Sequence, residues 1–118
     1  MAINNNFESN SSVEQQLKNF VESKRPKDEE MRKKIDLGYS WDGQNAFLFS
    51  IRPQWDNPTN IMEFPYAKLR YVKASKEWKL YWLRGNGKWE IYEPSIQCKD
   101  LKGLLEEVKM DRYGCFFG

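Results

Sequence analysis

Residues 66–92, YAKLRYVKASKEWKLYWLRGNGKWEIY, carry the pattern that decides the fold. Polar and apolar residues alternate along this stretch, and turn signals interrupt it at Ser75-Lys76 and at Asn86-Gly87. Alternation with a period of two predicts strands, and Asn-Gly between two such runs is typical of a two-residue hairpin loop. Strands paired through these turns share one apolar row, which comprises Ala67, Leu69, Tyr71, Trp78, Leu80, Trp82 and Ile91.

The upstream stretch, residues 35–51, has the same period, and Asp42-Gly43 marks a further hairpin within it. A two-residue loop here would pair odd positions of one strand with even positions of the next. A three-residue loop, residues 41–43, would instead place both apolar rows on one face. We favour the three-residue loop, which adds four residues to the predicted core: Leu37, Tyr39, Phe47 and Phe49.

Helices are predicted on both sides of these strands. Ser12 and Gln15 have the spacing of a capping box, and the apolar residues that follow recur at helical intervals as far as Lys24. Pro26 can open a second, short helix. Asp100 is placed to cap a helix over residues 101–110.

The resulting fold class is α+β, with an antiparallel meander sheet of about five strands, one or two N-terminal helices and one C-terminal helix. Residues 1–11 are rich in Asn and Ser and are expected to form a disordered tail, whereas residues 12–118 form a single domain. Segment 52–60 contains Pro53 and Pro58, and it is therefore predicted to be an irregular connection.

Composition argues against several classes of protein. The chain has 118 residues and no histidine, which removes the commonest general base and most zinc sites. Two cysteines, Cys98 and Cys115, are too few for a disulfide scaffold, and no apolar run reaches the ~20 residues of a membrane helix. We expect a cytoplasmic binding or interaction module without cofactor, metal or membrane contact. An enzyme that uses carboxylates ranks last among the alternatives.

Charge is the strongest local signal. Between Tyr66 and Trp89 seven Lys and Arg residues stand against Glu77 alone, a net charge of +6, while the whole chain has +2. Cations beside exposed rings are typical of surfaces that hold single-stranded nucleic acid, because the rings stack bases and the cations contact phosphates. The face opposite the Trp row is therefore a candidate site, in which Tyr81 and Tyr92 would be cross-strand partners. Its residues are Lys68, Arg70, Lys79, Tyr81 and Tyr92.

The same residues also fit a face that binds nothing. One side of an antiparallel sheet is commonly solvated, Lys and Arg keep such a side soluble, and pairs of tyrosines stabilise adjacent strands. A terminal helix packed over these residues is a further alternative. The side of the sheet that the C-terminal helix covers distinguishes these possibilities.

Arg52, Trp55 and Glu63 form a second candidate site, for a small ligand or for a partner protein. Trp55 in a proline-flanked loop would line a pocket beside a cation and a carboxylate. Alternatively, Trp55 plugs the end of the core and Arg52 pairs with Glu63. The apolar tail, residues 115–118, either docks on the domain or joins loop 52–56 in contacting a partner.

Several runs of residues are similar to those of one bacterial family. They are residues 37–39 (LGY), 51–55 (IRPQW), 63–68 (EFPYAK), 78–84 (WKLYWLR), 92–94 (YEP) and 111–118 (DRYGCFFG). The chain thus resembles domain of unknown function family 3024 over residues 26–118. The resemblance implies a bacterial or phage-associated cytoplasmic protein of one domain, and it brings no activity, ligand or site residue with it.

Overall fold

Five antiparallel strands form one sheet in the order β1-β2-β3-β4-β5, and helices flank it in the chain. The structure, a computed structural model, describes residues 10–92, 100–111 and 114–116. Within these residues the elements are α1 (Asn10–Lys24), α2 (Glu29–Lys34), β1 (Asp36–Trp41), β2 (Asn45–Gln54), β3 (Asn57–Val72), β4 (Glu77–Leu83), β5 (Trp89–Ile91) and α3 (Leu101–Met110). The α+β prediction and the five-stranded meander are confirmed.

The helices begin at residues that differ in part from the predicted ones. Helix α1 begins at Asn10, so that Ser12 lies inside it and its hydroxyl accepts a hydrogen bond from the Gln16 amide (3.4 Å). Helix α2 follows Asp28, whose carboxylate accepts the Glu30 N–H (3.0 Å), and does not begin at Pro26. No helix in the described part of the chain is long and apolar enough to cross a membrane.

Helix α3 spans the predicted residues. The Asp100 carboxylate accepts the backbone N–H of Lys102 at 3.1 Å, which satisfies one of the free donors in the first turn. Asp111 follows the last helical residue as the C-cap and takes the left-handed conformation, with φ of 46°. Residues 1–9, most of the expected tail, lie outside the described residues.

The turn between β1 and β2 differs from the predicted one. The Asp42 carboxylate accepts the backbone N–H groups of Gln44 (2.8 Å) and Asn45 (2.6 Å), and the Asp42 N–H donates to the Asn45 carbonyl (3.2 Å). Asp42 is therefore the first corner of the turn and does not lie within a three-residue loop. Tyr39 consequently pairs with Leu48, so odd positions of β1 face even positions of β2.

The turn between β4 and β5 contains three residues, 85–87, where two were predicted. The Arg84 N–H donates to the Lys88 carbonyl and the Gly87 N–H donates to the Arg84 carbonyl, both at 2.9 Å. Gly87 has φ of 82°, the left-handed conformation that completes a hairpin of this kind. Tyr81 consequently pairs with Ile91, and the prediction that Ile91 belongs to the core is wrong.

The turn between β3 and β4 spans four residues, 73–76, where two were predicted. The difference shifts the register by two residues, which leaves each side chain of β3 and β4 on its predicted face. Lys76 takes the left-handed conformation in this turn, with φ of 57°, and its N–H donates to the Val72 carbonyl (2.8 Å).

One side of the sheet, the covered face, packs against α1 and α3. The opposite side carries Lys68, Arg70, Lys79 and Tyr81 and is called the basic face. Phe47 and Phe49, predicted for the core, alternate with the buried residues of β2 and lie on the basic face. The sequence pattern failed here because a one-residue change of register exchanges the two faces of a strand. The buried cluster contains Val13, Leu17, Ala46, Leu48, Ala67, Leu69, Tyr71, Trp78, Leu80, Leu101, Leu104 and Val108.

A bidentate ion pair joins the end of α1 to the start of β1. Arg25 donates from Nε and Nη2 to the two carboxylate oxygens of Asp36, at 2.7 and 2.9 Å. These hydrogen bonds hold the pKa of Asp36 below its usual value. The pair fixes the chain where α1 passes to the sheet.

Strands β2 and β3 continue beyond their neighbours as a hairpin arm, defined as residues 52–63. Strand β1 starts opposite Ile51, so Pro53 lies where β2 has a neighbour on one side only, a position that tolerates proline. The register shifts between Pro53 and Gln54, which leaves residues 58–60 as a bulge in β3. The predicted irregular connection is therefore wrong, because all but the two turn residues of this segment belong to β2 and β3.

Candidate functional site

Lys68 lies in a row of paired residues that crosses the basic face. It pairs with Phe47 on β2 and with Tyr81 on β4. Its Nζ lies 5.2 Å from the centroid of the Tyr81 ring and 6.0 Å from the centroid of the Phe47 ring. Both distances are within the range of about 6 Å at which a ring face attracts a cation. The row therefore places one ammonium group between two aromatic rings of adjacent strands.

Arg70 and Lys79 are directly opposite each other in the next row of the same face. Cations in this position repel each other and destabilise a sheet. Within the described residues neither of them forms an ion pair, since the ion pairs there use Arg25, Lys33 and Arg84. An anion bound between Arg70 and Lys79 would relieve the repulsion.

Phe47 also contacts Trp89, and the sequence had placed neither ring on this face. Their centroids are 5.9 Å apart with the ring planes tilted by 54°. Two strands separate β2 from β5, so a flat sheet would hold these residues roughly 14 Å apart. The side chains therefore lean together over a curved sheet. Only the two hairpin registers could have revealed this contact.

Tyr92 does not lie on the basic face. Its backbone N–H donates to the Leu80 carbonyl (2.8 Å), so Tyr92 lies opposite Leu80. The predicted partner, Tyr81, pairs with Ile91 instead. The side chain is 1% exposed, its hydroxyl donates to Glu107 Oε2 (3.3 Å), and its ring lies 5.3 Å from the Phe116 ring. The predicted partnership of Tyr81 with Tyr92 is wrong, and Tyr92 belongs to the core.

The described part of the tail docks on the domain. Phe116 is buried against Tyr92, and its N–H donates to the Asp111 carboxylate (3.0 Å). Burial raises the pKa of the neighbouring Cys115 thiol, and the charges of Asp111 and Glu90 raise it further. Cys115 therefore lacks the surroundings that would make it a reactive thiolate.

Arg52, Trp55 and Glu63 do not converge on a pocket. The Arg52 guanidinium carbon lies 4.3 Å from the centroid of the Phe64 ring. Glu63 pairs with Ile51, on the opposite side of the arm from Arg52. Trp55 is 92% exposed at the turn of the arm, so it neither lines a pocket nor plugs the core. The predicted ligand pocket is therefore wrong. The alternative, in which Trp55 plugs the end of the core and Arg52 pairs with Glu63, is wrong as well.

The geometry defines a small α+β domain whose antiparallel sheet has one helix-covered face and one face that combines cations with rings. Among the described residues, no group of three or more Cys, Asp and Glu side chains is arranged to hold a metal ion. The sequence profile of the domain of unknown function DUF3024 matches residues 5–118, and the chain belongs to that family. Neither the curated proteins nor the solved structures contain a match to it.

Proposed function

We propose that this protein binds single-stranded nucleic acid on the basic face. The observation that carries the proposal is the cross-strand pair of like charges, Arg70 and Lys79, in the row next to Lys68. Repulsion within that pair destabilises the apoprotein, and a phosphate group placed between the two cations would turn it into attraction.

The aromatic rings on the same face favour a single strand over a duplex. Phe47 and Tyr81 flank Lys68 and are only partly buried, so their exposed surfaces are available for stacking. Bases in a duplex are stacked on one another, whereas bases of a single strand can stack on protein rings. Phosphates would then lie near Lys68, Arg70 and Lys79.

The distribution of charge and of helices is consistent with this role. Residues 66–89 carry a net charge of +6, whereas the rest of the chain carries about −4. A polyanion is therefore attracted to one part of the molecule and repelled from the rest. Helices α1 and α3 both pack on the covered face. They therefore leave the basic face to other contacts.

Fluorescence anisotropy with labelled oligo-dT and oligo-rU tests the proposal. Contact of three phosphates with the three cations predicts an affinity that falls about 20-fold between roughly 50 and 200 mM salt. Absence of binding at the lower salt concentration would overturn the proposal. Equal affinity for a duplex of the same length would overturn the assignment to a single strand.

Matched variants locate the site. The double substitution Lys68→Ala/Arg70→Ala should weaken binding at least about 10-fold, because it removes two phosphate contacts. The control Lys102→Ala/Lys109→Ala removes the same charge from exposed positions of α3 and should have a small effect. Tyr81→Ala should also weaken binding about 10-fold, whereas Tyr81→Phe keeps the ring and should bind normally. Equal losses in the two double variants would place binding elsewhere.

A further inference from the structure

The basic face contains a cavity of about 530 Å³, which is within the size range of small-molecule pockets. Phe47 lines this cavity and also belongs to the row of Lys68, so the cavity adjoins the proposed nucleic-acid site. Neighbouring rows of β1, β2 and β3 supply the other walls. The lining residues are Tyr39, Ser40, Phe47, Phe49, Glu63 and Pro65.

Small residues of β1 create the space for the cavity. Gly38 pairs with Phe49, and a Cβ atom at Gly38 would lie only 2.7 Å from Phe49 Cε1. The Phe49 ring therefore leans over Gly38, towards β1 and away from Pro65, its partner on β3. Ser40 is opposite Phe47 and is small as well. The two phenylalanine rings are partly exposed and form apolar walls on which a base can stack.

Among the described residues that line the cavity, Glu63 alone is charged. It lies two positions before Pro65 on β3, so its side chain is on the same face of the sheet. Within the described part of the chain its carboxylate forms no ion pair. A carboxylate only accepts hydrogen bonds and repels phosphate. The part of a ligand that meets Glu63 must therefore donate hydrogen bonds.

We propose that this cavity binds a guanine base of the single strand, an inference that rests on the proposed nucleic-acid binding. Guanine presents two adjacent donors on its Watson–Crick edge, the N1–H and the N2 amino group, and they match the two oxygens of a carboxylate. Adenine and cytosine each place one amino group beside a ring-nitrogen acceptor, which would repel the second oxygen. Thymine and uracil place their one N–H between two carbonyl acceptors. Glu63 therefore distinguishes guanine from the other bases.

The position of the cavity allows base and phosphate to be bound together. Lys68 Nζ lies 6.0 Å from the centroid of the Phe47 ring, and Phe47 is also a wall of the cavity. A nucleotide whose base stacks beside Phe47 thus has its phosphate within reach of Lys68. Glu63 lies two rows from Lys68, which is four residues of β2 or roughly 14 Å. The ammonium group and the carboxylate thus meet opposite ends of one nucleotide.

Fluorescence anisotropy with labelled strands of about nine nucleotides tests the guanine site. Strands of dT with one central dG, dA or dC are compared with dT alone. The dG strand should bind about 10-fold more tightly than each of the others, because a bidentate contact to a base edge discriminates to this order. A strand with 2′-deoxyinosine, which lacks the N2 amino group, should lose most of that gain. Equal binding of the dG and dA strands would mean selection by stacking alone and would overturn the proposal.

The variant Glu63→Gln tests the carboxylate at constant side-chain size. One of the two acceptors becomes an amide donor, so the preference for dG should disappear. The affinity for dT should not fall, because a negative charge is lost. Asp56→Asn is the matched control, since it removes the same charge from the turn of the arm, outside the cavity, and should keep the preference. A preference for dG that survives Glu63→Gln overturns the assignment to this cavity.

Failure of the cavity and failure of the basic face give different results. If no strand binds at low salt, nucleic-acid binding fails and the guanine site fails with it. If all strands bind equally, the guanine site alone fails.

Competition by GMP separates a strand from a free nucleotide. GMP offers one phosphate, so displacing the labelled dG strand should need at least about 10-fold more GMP than unlabelled dG strand. Displacement at equal concentrations would assign the cavity to a free nucleotide and overturn the proposal.

Discussion

The covered face and the basic face use strand β2 in opposite ways. On the covered face β2 contributes Ala46 and Leu48, both 0% exposed, whereas on the basic face it contributes Phe47, which is only half-buried. The larger side chain therefore lies on the less buried side. Ala46 and the equally buried Ala67 of β3 leave room for helices to approach the sheet closely. The comparison teaches that contact with α1 and α3, and not side-chain size, determines which face becomes the core.

The largest expected effect tests this difference within β2. Leu48→Ala should lower the free energy of unfolding by about 3 kcal/mol, because it leaves a cavity beneath the helices. Phe47→Ala removes a larger side chain but should cost only about 1 kcal/mol, since Phe47 is only partly buried. Urea denaturation of both variants measures the two values. A larger loss for Phe47→Ala would mean that the two faces are assigned the wrong way round.

A smaller effect is expected at the ion pair beside the covered face. Asp36→Asn should lower the free energy of unfolding by about 2 kcal/mol at pH 7, because Arg25 loses its two charge-assisted hydrogen bonds. The pKa of Asp36 is lower in the folded protein than in the unfolded chain. The stabilisation is therefore fully present above the unfolded value of about 3.9, and is lost as the pH falls through the folded pKa.

Urea denaturation of the wild type and of Asp36→Asn at several pH values checks this sign. The two proteins should differ at pH 7 and converge once the pH has fallen below the folded pKa of Asp36, where the carboxyl group is protonated in both states. A difference that persists unchanged at acid pH would show that the carboxylate charge contributes nothing at this position.

The smallest effect is expected on the basic face and has the opposite sign. Lys79→Thr should raise the free energy of unfolding by about 0.5 kcal/mol, because it removes the repulsion with Arg70 and introduces a residue that favours strands. Lys79→Arg keeps the charge and should leave stability unchanged. Nucleic-acid affinity should fall for Lys79→Thr and persist for Lys79→Arg. A destabilised Lys79→Thr would remove the like-charge argument for a ligand at this pair.

Part of the candidate site follows from the sequence. Lys68 and Arg70 on β3 and Lys79 and Tyr81 on β4 share one face as predicted, because the error in their connecting turn was an even number of residues. Tyr92 was misplaced because the error in the next turn was a single residue. One-residue errors in the hairpin loops are also the reason why the sequence pattern did not place Phe47 and Trp89 on the basic face. Their rings lie there, whereas the ring of Tyr92 does not.

The amino-acid sequence by itself determined the local elements of this protein. Asp100 and the apolar spacing after it define α3, and the alternation around Leu69 and Leu80 defines β3 and β4 with the correct faces. These features depend on neighbours within a few residues.

Only the tertiary structure decided three features of the fold. They are the registers of the β1–β2 and β4–β5 hairpins, the side of the sheet on which α1 and α3 pack, and the extension of β2 and β3 into a free arm. The helix packing and the arm depend on contacts between residues distant in the chain, whereas the registers depend on the exact length of two short loops. The side chain of Asp42 and the left-handed Gly87 each changed a loop by one residue, and that change exchanged the faces of a whole strand.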